Sequence, residues 1–238
     1  MNRRDELVAG LDSTEQRIAA ACEAAGRDRA EITLIVVTKT YPASDVELLA
    51  ELGVTDVGEN RHPEADLKFQ ELRAMEADHV VTLPRCHFLG GLQTNKAGAV
   101  ARYADMVHSV DRIKLANSLS RGAEAAGRTL PCLVQVDFDA TNPGRSGVVP
   151  SGMPELAAAI VGSSHLTLAG LMTVAPLGED PAPHFDHLVR LSEELRRDHP
   201  DATIVSAGMS GDFEAAIAAG ATHLRIGRSV LGERPPAG

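Results

Sequence analysis

Glu31-Ile-Thr-Leu-Ile-Val-Val-Thr-Lys-Thr40 is the most continuously apolar and β-branched run in this chain, and it ends on a single lysine. A short run of this kind, without alternation, describes a strand covered on both faces, as in parallel sheets. Lys39 then stands where the strand leaves the core. In a closed α/β barrel the C-terminal strand ends form the active face. The chemical question is therefore what an amine at that mouth does.

Working outward, residues 3–25 predict a helix ahead of this strand, which itself spans about 32–38. Leu7, Leu11, Ile18 and Cys22 form its apolar face, and Gly26 supplies a stop. After the strand, Ser44-Asp-Val-Glu47 reads as a capping box, with Val46, Leu49 and Leu52 inward and Gly53 closing the helix. The alternation continues with strands at 54–58, 87–89, 105–109, 130–137, 165–171, 202–206 and 222–226. Helices are predicted at 63–77, 94–103, from Asp111 as cap to Gly127, 153–161, 184–198 and 211–219, with only a short tail after the last strand. Strand–helix alternation predicts a parallel sheet, because parallel strands need crossover connections. The fold expected is α/β: a single (β/α)8 TIM barrel with an extra N-terminal helix, the alternative being a doubly wound open sheet. Residues 1–238 read as one domain, with the N-terminal helix inside 1–28 and a flexible tail at 233–238.

Composition narrows the function classes. The chain has 238 residues, 44% hydrophobic, with 3% aromatic and no Trp, so the core must be built from Val, Ile, Leu and Ala. A net charge of −10 argues against a nucleic-acid partner. Cys22, Cys86 and Cys132 lie far apart, which predicts reduced thiols rather than a disulfide framework or a zinc site. Arg3 and Arg4 are not followed by an apolar segment, which speaks against a secretory signal. No apolar run approaches the roughly 20 residues that cross a bilayer. A cytoplasmic protein with neither a nucleic-acid nor a membrane partner is expected.

Several polar or glycine-rich segments follow predicted strands, so a barrel would gather them on one face. A desolvated Lys39 in Thr38-Lys39-Thr40 would offer a nucleophilic amine; a lysine reaching from a strand end into water is the plainer reading. Gly58-Glu59-Asn60 reads as a turn with a helix cap. His87-Phe-Leu-Gly-Gly-Leu-Gln-Thr-Asn-Lys96, Asn142-Pro-Gly-Arg-Ser-Gly147 and Leu171-Met-Thr-Val-Ala-Pro176 are further strand-end loops. Gly208-Met-Ser-Gly-Asp-Phe213 and Arg225-Ile-Gly-Arg228 follow strands seven and eight, where this barrel recurrently binds phosphate. Ser210 there would donate to a phosphate or simply cap the next helix. His184 and His187 are three apart on a helix without an evident third ligand, so no metal is expected. Asp137 and Asp139 are a weak candidate for paired carboxylates.

Read together, these motifs resemble the pyridoxal 5′-phosphate (PLP) homeostasis proteins of the YggS/PROSC type over nearly the whole chain. The matching words are Val36-Val-Thr-Lys-Thr40, Gly58-Glu-Asn60, His87-Phe-Leu-Gly90 with Leu92-Gln-Thr-Asn-Lys96, His108-Ser-Val-Asp111, Arg145-Ser-Gly147, Gly170-Leu-Met-Thr173 with Ala175-Pro176, Gly208-Met-Ser210 with Asp212-Phe-Glu214, and Arg225-Ile-Gly227. The resemblance implies a fold type III PLP barrel of the alanine-racemase N-terminal type. It implies a Schiff base at Lys39, a phosphate cradle from Ser210 and the backbone around Gly227 and Arg228, Arg225 facing the pyridine nitrogen, and Asn60 and Met209 close to the cofactor. Arg61, Cys86 and Arg228 depart from the family pattern, where an aromatic, a tryptophan and a threonine are common.

The function implied is intracellular PLP (vitamin B6) and amino-acid homeostasis without robust catalysis, with no catalytic residue assigned. PLP-dependent apo-enzymes are the implied recipients. The chain ends soon after strand eight, which leaves no length for a racemase-type second domain and makes a monomer the expectation. Two alternatives stay open. One is an amino-acid racemase using Tyr41, Tyr103, His87 or Lys96 as its second acid/base; the other is a PLP-free aldolase with Lys39 on a sugar phosphate.

Overall fold

In the computed structural model the apolar run becomes β1 (Thr33–Val37), the start of a barrel rather than of an open sheet. Residues 2–76, 82–139 and 144–232 are described. In chain order they form α1 (Arg3–Ala24), β1, α2 (Ala43–Glu51), β2 (Asp56–Glu59), α3 (Glu64–Glu76), β3 (Arg85–Phe88), α4 (Ala97–Tyr103) and β4 (Met106–Val110). They continue with α5 (Ile113–Ala125), β5 (Leu130–Gln135), α6 (Met153–Val161), β6 (Leu166–Met172), α7 (Ala182–Asp198), β7 (Ile204–Ser206), α8 (Phe213–Ala219), β8 (His223–Ile226) and α9 (Arg228–Leu231). The strands are parallel and close in sequence order, β8 returning to β1 with Ile35 opposite Arg225.

Strand parity decides what the barrel holds, because successive side chains point to opposite faces. Val36, Val57, Cys86, Phe88, Val107, Cys132, Val134, Leu224 and Ile226 belong to the main apolar core shared with the helices. Ile35, Leu133 and Met172 are also buried but stand outside that cluster, inside the barrel. Ile35, Val37 and Lys39 therefore share the inward parity, and Lys39 is the polar end of an inward row. The chain turns away immediately afterwards: Thr40 has φ of 71°, in the left-handed region that side chains seldom adopt, with its N–H donating to Glu64 Oε1 at 2.9 Å.

Several helix starts differ from the sequence expectation. α2 begins at Ala43 behind Pro42, without a side-chain cap. Ser44 thus lies inside the first turn, and the expected capping box does not form. Pro42 has the fixed φ suited to a helix entry, and Asp45 is drawn instead to Arg3, whose Nη2 lies 2.6 Å away. Asp111 likewise pairs with the Arg112 guanidinium, and Arg112 rather than Asp111 is the N-cap of α5. The expected 94–103 helix opens as a 3-10 turn at Thr94–Lys96 before α4. A four-residue helix, α9, stands where only a tail was expected, packed against α1. Residues 233–238 lie outside the described residues, as do Asn142 and Pro143 of the expected 142–147 loop.

Candidate functional site at the strand C-termini

A cavity of about 400 Å³ opens at the C-terminal strand ends. Lys39, Asn60, Met209, Ser210, Arg225, Gly227 and Arg228 all line it, together with Val37, Tyr41, Leu89 and Val174. Size does not single it out: a cavity of about 470 Å³ lies by the strand starts, and one of about 420 Å³ lies beside His62 and Lys96. Chemistry does, because this cavity joins an amine, a hydroxyl and a buried guanidinium under apolar walls.

Each polar group is held by its element. Arg225 on β8 is buried, and it donates from Nη1 to Ser206 Oγ and from Nη2 to the Thr173 carbonyl, each at 2.8 Å. Burial pulls its pKa down to about 10, with Asp212 opposing. Asn60 Oδ1 is buried and, among the described residues, has no hydrogen-bond partner, and Asn60 stands between this cavity and the one beside His62. The loop over Asn60 needs a glycine: a Cβ on Gly90 would come within 2.1 Å of the Asn60 carbonyl oxygen.

Ser210 does not cap a helix. α8 opens at Phe213, three residues later, and the Asp212 carboxylate accepts from the Met209 N–H at 2.5 Å, folding 209–212 into a turn. At the facing loop a Cβ on Gly227 would meet the Val37 carbonyl at 3.0 Å. Glycine there lets the β8–α9 turn approach β1 closely. The net charge of −10 thus coexists with Lys39, Arg225 and Arg228 around one opening.

A second group beneath the mouth was not anticipated. Glu59, at the end of β2, is fully buried and accepts from Lys68 Nζ at 2.6 Å and from Thr38 Oγ1 at 2.8 Å. Lys68 also donates to the Thr38 carbonyl, at 2.8 Å, on the residue just before Lys39. Gly58-Glu59-Asn60 is therefore more than a turn: its carboxylate ties β1 to α3. The available sequence signal was strand parity, since Glu59 follows an outward Val57.

Other expectations resolve differently. Asp137 and Asp139 do not pair as carboxylates; Asp137 accepts from Arg145 Nε at 2.9 Å and from the Asp139 N–H at 3.2 Å. His184 pairs with Glu179, while His187 stacks on Phe138. Of the racemase candidates, Tyr41 lines the cavity and donates to the Gly232 carbonyl at 2.9 Å. His87 is buried inside the barrel, and Lys96 belongs to the cavity beside His62. The Tyr103 hydroxyl is buried, and burial pushes its pKa well up.

Among the departures from the family pattern, Cys86 is fully buried and Arg61 is exposed beside His62. Arg228 is exposed at the cavity rim.

Barrel, amine and loop geometry together define a class. Residues 11–235 match the family "Alanine racemase, N-terminal domain". A relative from Mycobacterium tuberculosis, named pyridoxal phosphate homeostasis protein, is 40% identical, the alignment covering 98% of this chain and 95% of the relative. Within that class the chain belongs to the pyridoxal phosphate homeostasis protein family. Among solved structures, a protein of unknown function from Bifidobacterium adolescentis is 31% identical with a TM-score of 0.88, covering 96% of this chain and 95% of that one. PipY from Synechococcus elongatus, solved with PLP bound, is 31% identical with a TM-score of 0.74, covering 90% of this chain and 100% of that one.

Proposed function

We propose that this chain binds PLP at the Lys39 cavity and serves PLP and amino-acid homeostasis. The observation that carries the reading is the convergence of Lys39, Asn60, Ser210 and Arg225 on one cavity. PLP, when bound, supplies an aldehyde carbon to an amine and an electron-withdrawing ring. Lys39 Nζ would be the amine that holds the cofactor through that carbon. The Ser210 hydroxyl and the backbone N–H groups of Gly227 and Arg228 hold the phosphate, and Met209 lies beside them. Asn60 borders the ring. Arg225 can only donate hydrogen bonds, so a ring nitrogen facing it is held without a proton. That weakens the ring as an electron sink and suits a carrier more than a vigorous catalyst.

The racemase alternative needs a second acid/base across the cofactor. Of the four side chains considered, Tyr41 alone lines the cavity, and its hydroxyl is engaged with Gly232. The reading extends to residues 1–238 as one domain, acting as a cytoplasmic monomer that passes PLP to PLP-dependent apo-enzymes. Among the described residues no helix is long and apolar enough to cross a membrane. Sedimentation velocity tests the oligomeric state.

The test of the cofactor is near-visible absorption of protein purified with PLP, beside Lys39→Ala. A band present in the wild type and lost in the variant supports the reading. No band at saturating PLP overturns it and brings the PLP-free aldolase forward, which borohydride trapping with a carbonyl substrate would reveal.

A further inference from the structure

Inside the barrel, below the cavity, an unbroken line of buried side chains leads to Arg225. Asp56 on β2 meets His87 Nε2 at 2.7 Å, and His87 Nδ1 meets His108 Nε2 at 2.9 Å. His108 Nδ1 meets Ser206 Oγ at 3.0 Å, and Ser206 Oγ accepts from Arg225 Nη1 at 2.8 Å. All five residues are at most 5% exposed. Asp56 stands by the strand starts, where Arg85 Nη2 donates to it at 3.0 Å and Thr55 Oγ1 at 2.7 Å. The line therefore crosses the barrel from its base to the wall of the cavity.

The protons in this line have one arrangement when both imidazoles are neutral. Burial alone would raise the Asp56 carboxyl, but hydrogen bonds from His87, Arg85 and Thr55 hold it well below the usual carboxylate range, so it only accepts. His87 Nε2 must then carry hydrogen, which leaves Nδ1 as an acceptor. His108 Nε2 must donate to it, which leaves His108 Nδ1 as an acceptor. Burial, with His87, Arg225 and His223 nearby, keeps His108 neutral. Ser206 must therefore donate to His108, and its lone pairs turn toward Arg225. With Thr173 O taking Nη2, the guanidinium is clamped at two points at the wall of the cavity.

We propose that Asp56, His87, His108 and Ser206 are positioning residues that fix the Ser206 hydroxyl, and through it the orientation of Arg225 toward a bound cofactor. The anion at the barrel base and the guanidinium at its mouth are the two ends of one polarised hydrogen-bond chain. Its effect on PLP rests on the cofactor reading above; its proton arrangement does not.

Two measurements separate these. In PLP-free protein, nitrogen-15 NMR of the histidines at neutral pH is expected to show His87 and His108 both protonated at Nε2 and bare at Nδ1. An Nδ1–H form at either residue overturns the chain, whatever PLP does. In PLP-loaded protein, Asp56→Asn and Ser206→Ala are each expected to retain covalent PLP. Each is expected to move the pH midpoint of its absorption by about one pH unit, the size of one charge-assisted hydrogen bond. Ser206→Thr, which keeps the hydroxyl, is expected to restore the wild-type midpoint. A shift in Ser206→Ala with none in Asp56→Asn overturns the relay and leaves Ser206 acting alone. If Asp56→Asn fails to fold, the NMR tautomers of the wild type decide.

Discussion

Lys68 Nζ lies 2.6 Å from Glu59 Oε1, an ion pair with 6% and 0% of its two side chains exposed, against Thr38, the residue just before Lys39. The pair is completed by Thr38, whose hydroxyl donates to the same carboxylate oxygen and whose carbonyl accepts from Lys68. Burial raises the Glu59 carboxyl, and Lys68 and Thr38 oppose it. Removing one partner strands the other. Lys68→Met is expected to destabilise the fold by about 3–5 kcal/mol, whereas Lys68→Met combined with Glu59→Gln recovers part of that loss. Urea midpoints at constant slope measure both. The single variant is also expected to loosen PLP retention, because Thr38 positions the backbone of Lys39.

Ser210 is free of any capping duty, since α8 begins beyond it. Ser210→Ala is expected to leave stability unchanged within about 0.5 kcal/mol. It is expected to weaken PLP retention about tenfold, the worth of one hydrogen bond to a charged group. Equilibrium dialysis checks this, and unchanged retention removes Ser210 from the phosphate cradle.

Gly90 and Gly98 make a matched pair of tests. Alanine at 90 would drive a Cβ to 2.1 Å from the Asn60 carbonyl oxygen, while alanine at 98, in α4, meets nothing within 4 Å. Gly90→Ala is expected to cost about 1–3 kcal/mol and to disturb Asn60, hence PLP binding. Gly98→Ala is expected to stabilise by up to about 1 kcal/mol. Thermal melts with and without PLP distinguish them.

The pH dependence follows from two imidazoles, His108 fully buried and His223 half-buried. Burial lowers His108 well below its ordinary value and lowers His223 to about 4, each assisted by His87. Between a folded pKa near 4 and an unfolded value of about 6.5, the unfolded chain binds more protons than the folded one. Stability is therefore expected to fall as pH drops from about 6.5 toward 4. Urea midpoints across that range check the slope, and His223→Gln should flatten it. A slope of the opposite sign would contradict both rings being held neutral in the fold.

The β/α alternation was readable because buried parallel strands need unbroken apolar runs and crossover helices need amphipathic ones. The positions of Lys39, Ser210, Arg225 and Gly227 at strand ends followed from that alternation. The helix starts were less readable. Ser44 and Asp111 have the right chemistry for caps, but Pro42 and Arg112 hold the N-cap positions in the fold. Asp45 and Asp111 found partners in Arg3 and Arg112 instead. Capping competes with every other donor the fold brings near, and a linear sequence does not state those donors.

By itself, then, the sequence determined the strand and helix order, the inward lysine at the end of β1 and the glycine-bearing loops of the mouth, because local periodicity and chain geometry act over a few residues. Only the tertiary structure decided that Asp56, His87, His108, Ser206 and Arg225 form one line, and that Lys68 neutralises Glu59. These contacts join residues from different strands and helices. Ring closure of the barrel sets their distances, and low-dielectric burial gives those distances their energetic weight.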